Sequence, residues 1–272
     1  MNSSPCPWRL IDTGPLAGPA NMAVDEALLN SFDPADSLPV LRLYGWEPPA
    51  FSLGKFQVAD EVLDLAYCRA AGIPVVRRVT GGGVIYHASE LTYSIVCAQR
   101  HIPDATSVKG AFRTLCGFLL LAYNRLGLDA SFAVDRHPGH GRLGERTPFC
   151  FAGKEEYDIL VGGRKLGGNA QRRIRETVFQ HGSIPLENRL SMALPFLRER
   201  PTGVEEGTVS LAELGVTLPV ERLKELLVAA FRENLGVVVE ECGLTDEEAG
   251  RAEGLRREKY ETEGWNREGR EA

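Results

Sequence analysis

Two side chains in the stretch from 147 to 186 could do covalent chemistry together, Cys150 and Lys165. A thiol becomes a strong nucleophile when its pKa is depressed or a base stands beside it. Lys165 could serve either way, as an ammonium that stabilises the thiolate or as a neutral amine that takes a proton. Cys150 lies between Phe149 and Phe151, where a polar stretch rich in glycine and proline (Asp135 to Pro148) gives way to strand-forming residues. It is the one cysteine beside a long polar loop and not inside an apolar periodic run, and exposure is what a reactive thiolate needs. Lys165 follows the dipeptide Gly162-Gly163, a two-residue hairpin turn by type, and a strand lysine there also reads as exposed decoration.

Two further stretches carry groups that could serve an acyl transfer. Arg77-Arg78-Val79-Thr80-Gly81-Gly82-Gly83 puts three glycines in a row, where backbone N–H groups can approach a carbonyl oxygen or an anion with no Cβ in the way. The same residues would also make a plain hairpin turn. Gln180-His181-Gly182-Ser183 and His87 supply imidazoles, each of which also reads as a structural histidine. Gly167-Gly168 weakens its strand and suggests the close approach of a ligand or another backbone.

Composition narrows the classes. Of 272 residues, 43% are hydrophobic and 25% charged, as in an ordinary globular protein. The six cysteines (6, 68, 97, 116, 150, 242) show no CxxC pair and no zinc-type spacing, so neither a disulfide framework nor a metal site is expected, and the thiols should be reduced. A net charge of −6 argues against general nucleic-acid binding. Arg77, Arg78, Arg164, Lys165, Arg172, Arg173 and Arg175 nevertheless cluster in the candidate strands. They form either a basic face for an acidic partner or anionic ligand, or an ordinary solvated surface. No apolar run is long enough to span a bilayer, and the N-terminal residues lack a signal-peptide pattern, so the expected location is cytoplasmic, away from membranes.

These groups need elements to hold them. Asn21 is placed to cap a helix with an apolar stripe at Met22, Val24, Ala27 and Leu28, Asp25 and Glu26 falling in its first turns. Val40 to Trp46 reads as a strand, and 59–71 as one helix stopped by Gly72. Strands follow at 74–78, 84–87 and 91–98, with Gly54 in a turn that Gln57 can serve. The periodicity of Val108, Ala111, Phe112, Leu115, Leu119, Ala122 and Leu126 predicts a long amphipathic helix. Strands are then expected at 130–134, 157–161, 164–171 and 178–186. Pro219 opens a second long helix closed by Gly236, and Thr245 with Glu248 makes a capping box for a charged last helix. Beyond Trp265 the tail should fray.

Taken in order, Asn21 to Ala27, Arg77 to Gly83 with His87, Gly163 to Gln171, Gln180 to Ser183, and Lys259-Tyr260 with Trp265-Asn266 resemble the biotin/lipoate protein ligase superfamily over nearly the whole chain. Glu90-Leu91-Thr92-Tyr93-Ser94 and a cysteine shortly before the lysine strand look most like its octanoyltransferases. The resemblance implies an α+β fold of the class II synthetase-like type, with a mostly antiparallel mixed sheet packed by helices. A single catalytic domain would cover 1–272, with 245–272 as a charged C-terminal helix and tail. It implies Cys150 and Lys165 as catalytic residues, and a binding cleft made by Arg77, Arg78, Thr80, Gly81, Gly82, Gly83, His87, Gly167, Gly168, Asn169, Ala170, His181, Gly182 and Ser183. Neither metal nor cofactor is implied. The donor would be octanoyl-acyl carrier protein, the acceptor a lipoyl domain of a 2-oxoacid dehydrogenase or the glycine cleavage H protein, and the enzyme a monomer. One position departs from the pattern: ligases of the superfamily show an aspartate after the motif histidine, whereas Ala88 follows His87 here. An ATP-dependent lipoate–protein ligase, an amidotransferase between lipoyl domains and a non-catalytic acyl binder remain as alternatives.

Overall fold

Alternation along two central strands divides the core. In β2 (Val40–Trp46) and β6 (Glu90–Ala98), Leu41, Leu43, Tyr93, Ile95 and Cys97 face one way, and Val40, Tyr44, Val96 and Ala98 the other. Both sets are buried, so the sheet must be covered on both faces. The structure, a computed structural model, describes residues 7–103, 107–136, 156–200 and 203–270.

Six strands form the main sheet. With β1 (Trp8–Leu16), β10 (Gly168–Ile174), β11 (Thr177–Pro185) and β12 (Val239–Glu241), the order is β10-β11-β6-β2-β1-β12. The pairs β10–β11, β11–β6 and β6–β2 are antiparallel, and β2–β1 and β1–β12 are parallel. A small sheet combines β3 (Ala50–Leu53), β4 (Val75–Arg77) and β5 (Ile85–His87), and another combines β7 (Ala130–Phe132), β8 (Ile159–Val161) and β9 (Arg164–Lys165). One face of the main sheet is covered by Val108–Arg125 and Val220–Leu235, whose Leu115, Phe118, Leu119, Leu227 and Phe231 join the first cluster. The helix Gly18–Ser31 covers the other with Ala252, Tyr260 and Trp265 from the C-terminal region. The expected α+β architecture with an antiparallel-dominated mixed sheet is present.

The long amphipathic helices, the hairpin turn at Gly162-Gly163 and the Thr245/Glu248 capping box form as expected. Several boundaries differ. The first helix begins at Gly18 behind Ala17, so Asn21 is an internal residue and not its cap, and Asp25 lies well past the first turn. The single helix expected over 59–71 is two, Ala59–Val62 and Leu65–Ala70. Leu63 leaves the helix to bridge Leu197, and the Asp64 carboxylate accepts from the Tyr67 N–H to start the second. The strand expected over 130–134 ends at Phe132, where a helical turn, Ala133–Arg136, begins.

The strand predicted over 164–171 breaks after Lys165 and changes sheets. Gly167 has φ +82°, and a Cβ there would stand 2.1 Å from the Ser183 carbonyl oxygen. The close approach of another backbone, read from Gly167-Gly168, is therefore β11 itself. Residues 265–270 do not fray: Trp265 is buried, and the carbonyls of Trp265, Asn266 and Arg267 accept hydrogen bonds from Arg77.

Candidate active site

A cleft opens where β2, β3, β5, β10 and β11 meet the first helix. Its apolar lining comes from Met22, Trp46 and Ile85, and its polar lining includes Arg78, His87, Asn169, His181 and Ser183. It encloses about 380 Å³, part of it open to solvent. Of the residues expected at a binding site, Arg78, His87, Gly168, Asn169, Ala170, His181, Gly182 and Ser183 meet here.

Each imidazole in the cleft has a hydroxyl hydrogen-bonded to one nitrogen and a carboxylate facing the other, close at His87 and more distant at His181. His87 lies between Glu90 Oε1 and Ser52 Oγ, both at 2.7 Å, with the Trp46 ring stacked on it at 3.7 Å and 8°. Because an ionised carboxylate only accepts, Nδ1 of His87 is the donor to Glu90. Glu90 also accepts from Thr92 and Ser183, at 2.6 and 2.8 Å. Burial pushes the Glu90 carboxyl up, but the charge of His87 and these hydrogen bonds outweigh it and hold it below the usual carboxylate range. Glu90 thus supplies a partner for His87 although Ala88 occupies the position where the ligases have an aspartate.

His181 contacts Thr80 Oγ1 at 2.7 Å through Nε2, while its Nδ1 stands 3.8 Å from Asp25. Asp25 also accepts from Arg42, Tyr44 and Ser94 at 2.7, 2.8 and 2.7 Å. Asn21 and Asp25 are one helical turn apart on the same face, and both grip the Arg42 guanidinium. Burial would raise Asp25, but Arg42 first, then His181 and Ser94, bring it below its ordinary value. Burial pushes His181 down against the weaker pull of Asp25, so its imidazole is neutral near pH 7.

Several expectations are placed elsewhere. Gly81 and Gly83 turn carbonyls toward Arg78, whose Nη2 donates to them at 3.0 and 2.7 Å while Nη1 reaches Ser52. Thr80 reaches the site through His181, and Gly167 supports it from behind through β11. Arg77 points away from the cleft into the C-terminal segment. Lys165 is buried in the neighbouring hairpin, its ammonium 2.8 Å from Asp158, and is no surface decoration. The expected basic face is therefore divided: Arg77, Arg78 and Lys165 are interior, Arg164, Arg172 and Arg173 are half-buried and Arg175 is exposed. Cys150, with residues 137–148 of the polar stretch before it, lies outside the described residues. Burial raises the thiols of Cys68, Cys97 and Cys116.

Sequence reading missed Asp25, Arg42, Trp46, Ser52 and Glu90 as parts of this site. A signal existed for one of them: Arg42 stands inside the apolar run Val40-Leu41-Arg42-Leu43-Tyr44, and a charge buried in such a strand demands a partner.

The geometry coincides with kinship. The pattern of the lipoyl protein ligase A/B catalytic domain matches residues 18–232. The chain is 36% identical to Octanoyltransferase LipM of Geobacillus kaustophilus, over 95% of this chain and 97% of that one, and 38% identical to Octanoyltransferase LipM of Kyrpidia tusciae, over 95% and 98%. Among solved structures, a lipoate-protein ligase A bound with ATP superposes with a TM-score of 0.81 at 28% identity, covering 96% of this chain and 98% of that one. A putative lipoate protein ligase from T. acidophilum with bound lipoic acid gives 0.80 at 28%, covering 96% and 99%. With that match spanning most of its length, the chain belongs to the lipoyl protein ligase A/B catalytic domain family.

Proposed function

We propose that this protein is an acyltransferase of lipoate biosynthesis, moving an octanoyl group from octanoyl-acyl carrier protein to a lysine amine of a lipoyl domain through a thioester on Cys150. The observation that carries this reading is identity of 36 and 38% to octanoyltransferases over 95% of the chain. The cleft is chemically suited to it, with hydrocarbon walls at Met22, Trp46 and Ile85 and polar groups at His87, His181 and Asn169.

In the first step the Cys150 thiolate attacks the thioester carbonyl carbon. A new C–S bond forms, the bond to the carrier sulfur breaks, and the carrier thiolate leaves and takes a proton. One thioester replaces another, so little free energy is spent. In the second step the acceptor amine forms a C–N bond, the Cys150 thiolate departs, and the proton lost by the amine returns that thiolate to the thiol. The amide is more stable than the thioester, so this step runs downhill and needs no nucleotide. Lys165 is the group proposed to favour the thiolate, with Asp158 orienting its ammonium at 2.8 Å.

One solved relative holds ATP, so the assay must separate transfer from adenylation. Octanoyl carrier protein supplied without ATP should modify a lipoyl domain, and Cys150→Ser should abolish that modification. Modification only with free octanoate and ATP would make the protein a ligase instead.

A further inference from the structure

Two neighbouring pairs of charged residues, Asp25-Glu26 and Arg77-Arg78, each divide between the cleft and the C-terminal segment. On the first helix, Asp25 faces His181 while Glu26 accepts from Lys259 Nζ at 2.8 Å and Tyr260 OH at 2.6 Å. After β4, Arg78 holds the Gly81 and Gly83 carbonyls while Arg77 turns the other way. The buried Arg77 guanidinium is directed at six carbonyl oxygens. Three belong to the turn at Gly54, Lys55 and Gln57, at 3.1, 3.1 and 2.6 Å, and three to Trp265, Asn266 and Arg267, at 2.9, 3.1 and 2.9 Å. The main chain joins in: Arg77 N–H donates to Asn266 Oδ1, and Trp265 Nε1 donates to the Arg77 carbonyl.

The turn that Arg77 grips in turn supports the glycine run. A Cβ at Gly54 would stand 2.0 Å from the Gly82 carbonyl oxygen, and Lys55 N–H donates to the Thr80 carbonyl at 2.8 Å. A fork of fixed N–H donors can tie two chain segments together in a way a lysine ammonium cannot.

We infer that the segment Lys259–Arg267 braces the active site from outside the cleft, and that Arg77 and Glu26 are positioning residues through which it sets the glycine run and Asp25. The inference extends the octanoyl-transfer reading and rests on it for its activity readout, while its structural readout is independent of any activity.

Arg77→Lys and Glu26→Gln in the full-length chain test it beside a control, Arg9→Lys, which weakens the Arg9–Glu248 ion pair at the start of the same C-terminal region without touching either positioning residue. Hydrogen exchange of the backbone amides of 79–84 should accelerate at least about tenfold in Arg77→Lys, and should stay at the wild-type rate in Arg9→Lys. Octanoyl transfer per folded molecule should show kcat reduced about tenfold or more in Arg77→Lys and to a smaller degree in Glu26→Gln, with Arg9→Lys at the wild-type value. Unchanged exchange at 79–84 in Arg77→Lys, or wild-type kcat with only a lowered melting temperature, overturns the inference. Should Arg77→Lys fail to fold, Asn266→Ala, which removes one bond to Arg77 and one to Tyr260, must give the same exchange signature. If the wild-type chain transfers no octanoyl group, the functional reading falls and the exchange result still decides this one.

Discussion

The two histidines of the cleft look alike in outline and differ in how their carboxylates are balanced. Asp25 has a guanidinium of its own, the fully buried Arg42, and leaves His181 a distant 3.8 Å contact. Among the described residues the ion pair of Glu90 is with His87 alone, at 2.7 Å, and hydroxyls complete its shell. The first arrangement is a permanent ion pair with a neutral imidazole at its edge, built for rigidity. In the second the imidazole itself lies against the carboxylate, and the Thr92 and Ser183 hydroxyls complete the shell with no guanidinium present among the described residues. His87 is thus the more directly held of the two by its carboxylate.

The comparison can be broken by removing each carboxylate in turn. Asp25→Asn leaves the Arg42 cation buried with no counter-charge, and should cost about 3–5 kcal/mol in urea unfolding at pH 8. Glu90→Gln should cost less, roughly 1–3 kcal/mol, because it loses hydrogen bonds at a buried group and strands no guanidinium. Equal losses would mean that the buried guanidinium makes no difference, and the contrast would fail.

A smaller effect sharpens it through pH. The folded pKa of His181 lies below its unfolded value of about 6.5. As pH falls below that value the unfolded chain takes up the proton first, and stability declines. His181→Gln should therefore flatten the stability profile on the acid side of about pH 6.5. The remaining slope includes His101, which burial pushes down to about 4 and which acts in the same direction. Glu90 and Asp25, both held below the ordinary carboxylate range, contribute stability above their unfolded values and lose it only in stronger acid.

Local rules made much of the frame readable. Leu115, Leu119 and Ala122 at helical spacing, Thr245 with Glu248, and the Gly162-Gly163 turn each specify their element within a few residues. Resemblance brought together eight of the residues that line the cleft. What escaped were interactions across long separations: Arg42 with Asp25, and Arg77 with Trp265 to Arg267. Nothing near Arg77 in sequence announces that it faces the tail, although in the strand expected over 74–78 adjacent residues point to opposite faces, which already argues against Arg77 and Arg78 serving the same cleft. Glu90 was hidden because its histidine is three residues away across a turn, where the family pattern directs attention to the next residue, Ala88.

The proposed transfer stands or falls on an acyl group carried by one sulfur atom, that of Cys150. Intact-mass spectrometry after incubation with octanoyl carrier protein, with no acceptor present, tests it directly. The expected product is a species heavier by one octanoyl group, absent in Cys150→Ser and discharged when a lipoyl domain is added. An unmodified enzyme that still octanoylates the lipoyl domain, or an adduct that persists in Cys150→Ser, would contradict it.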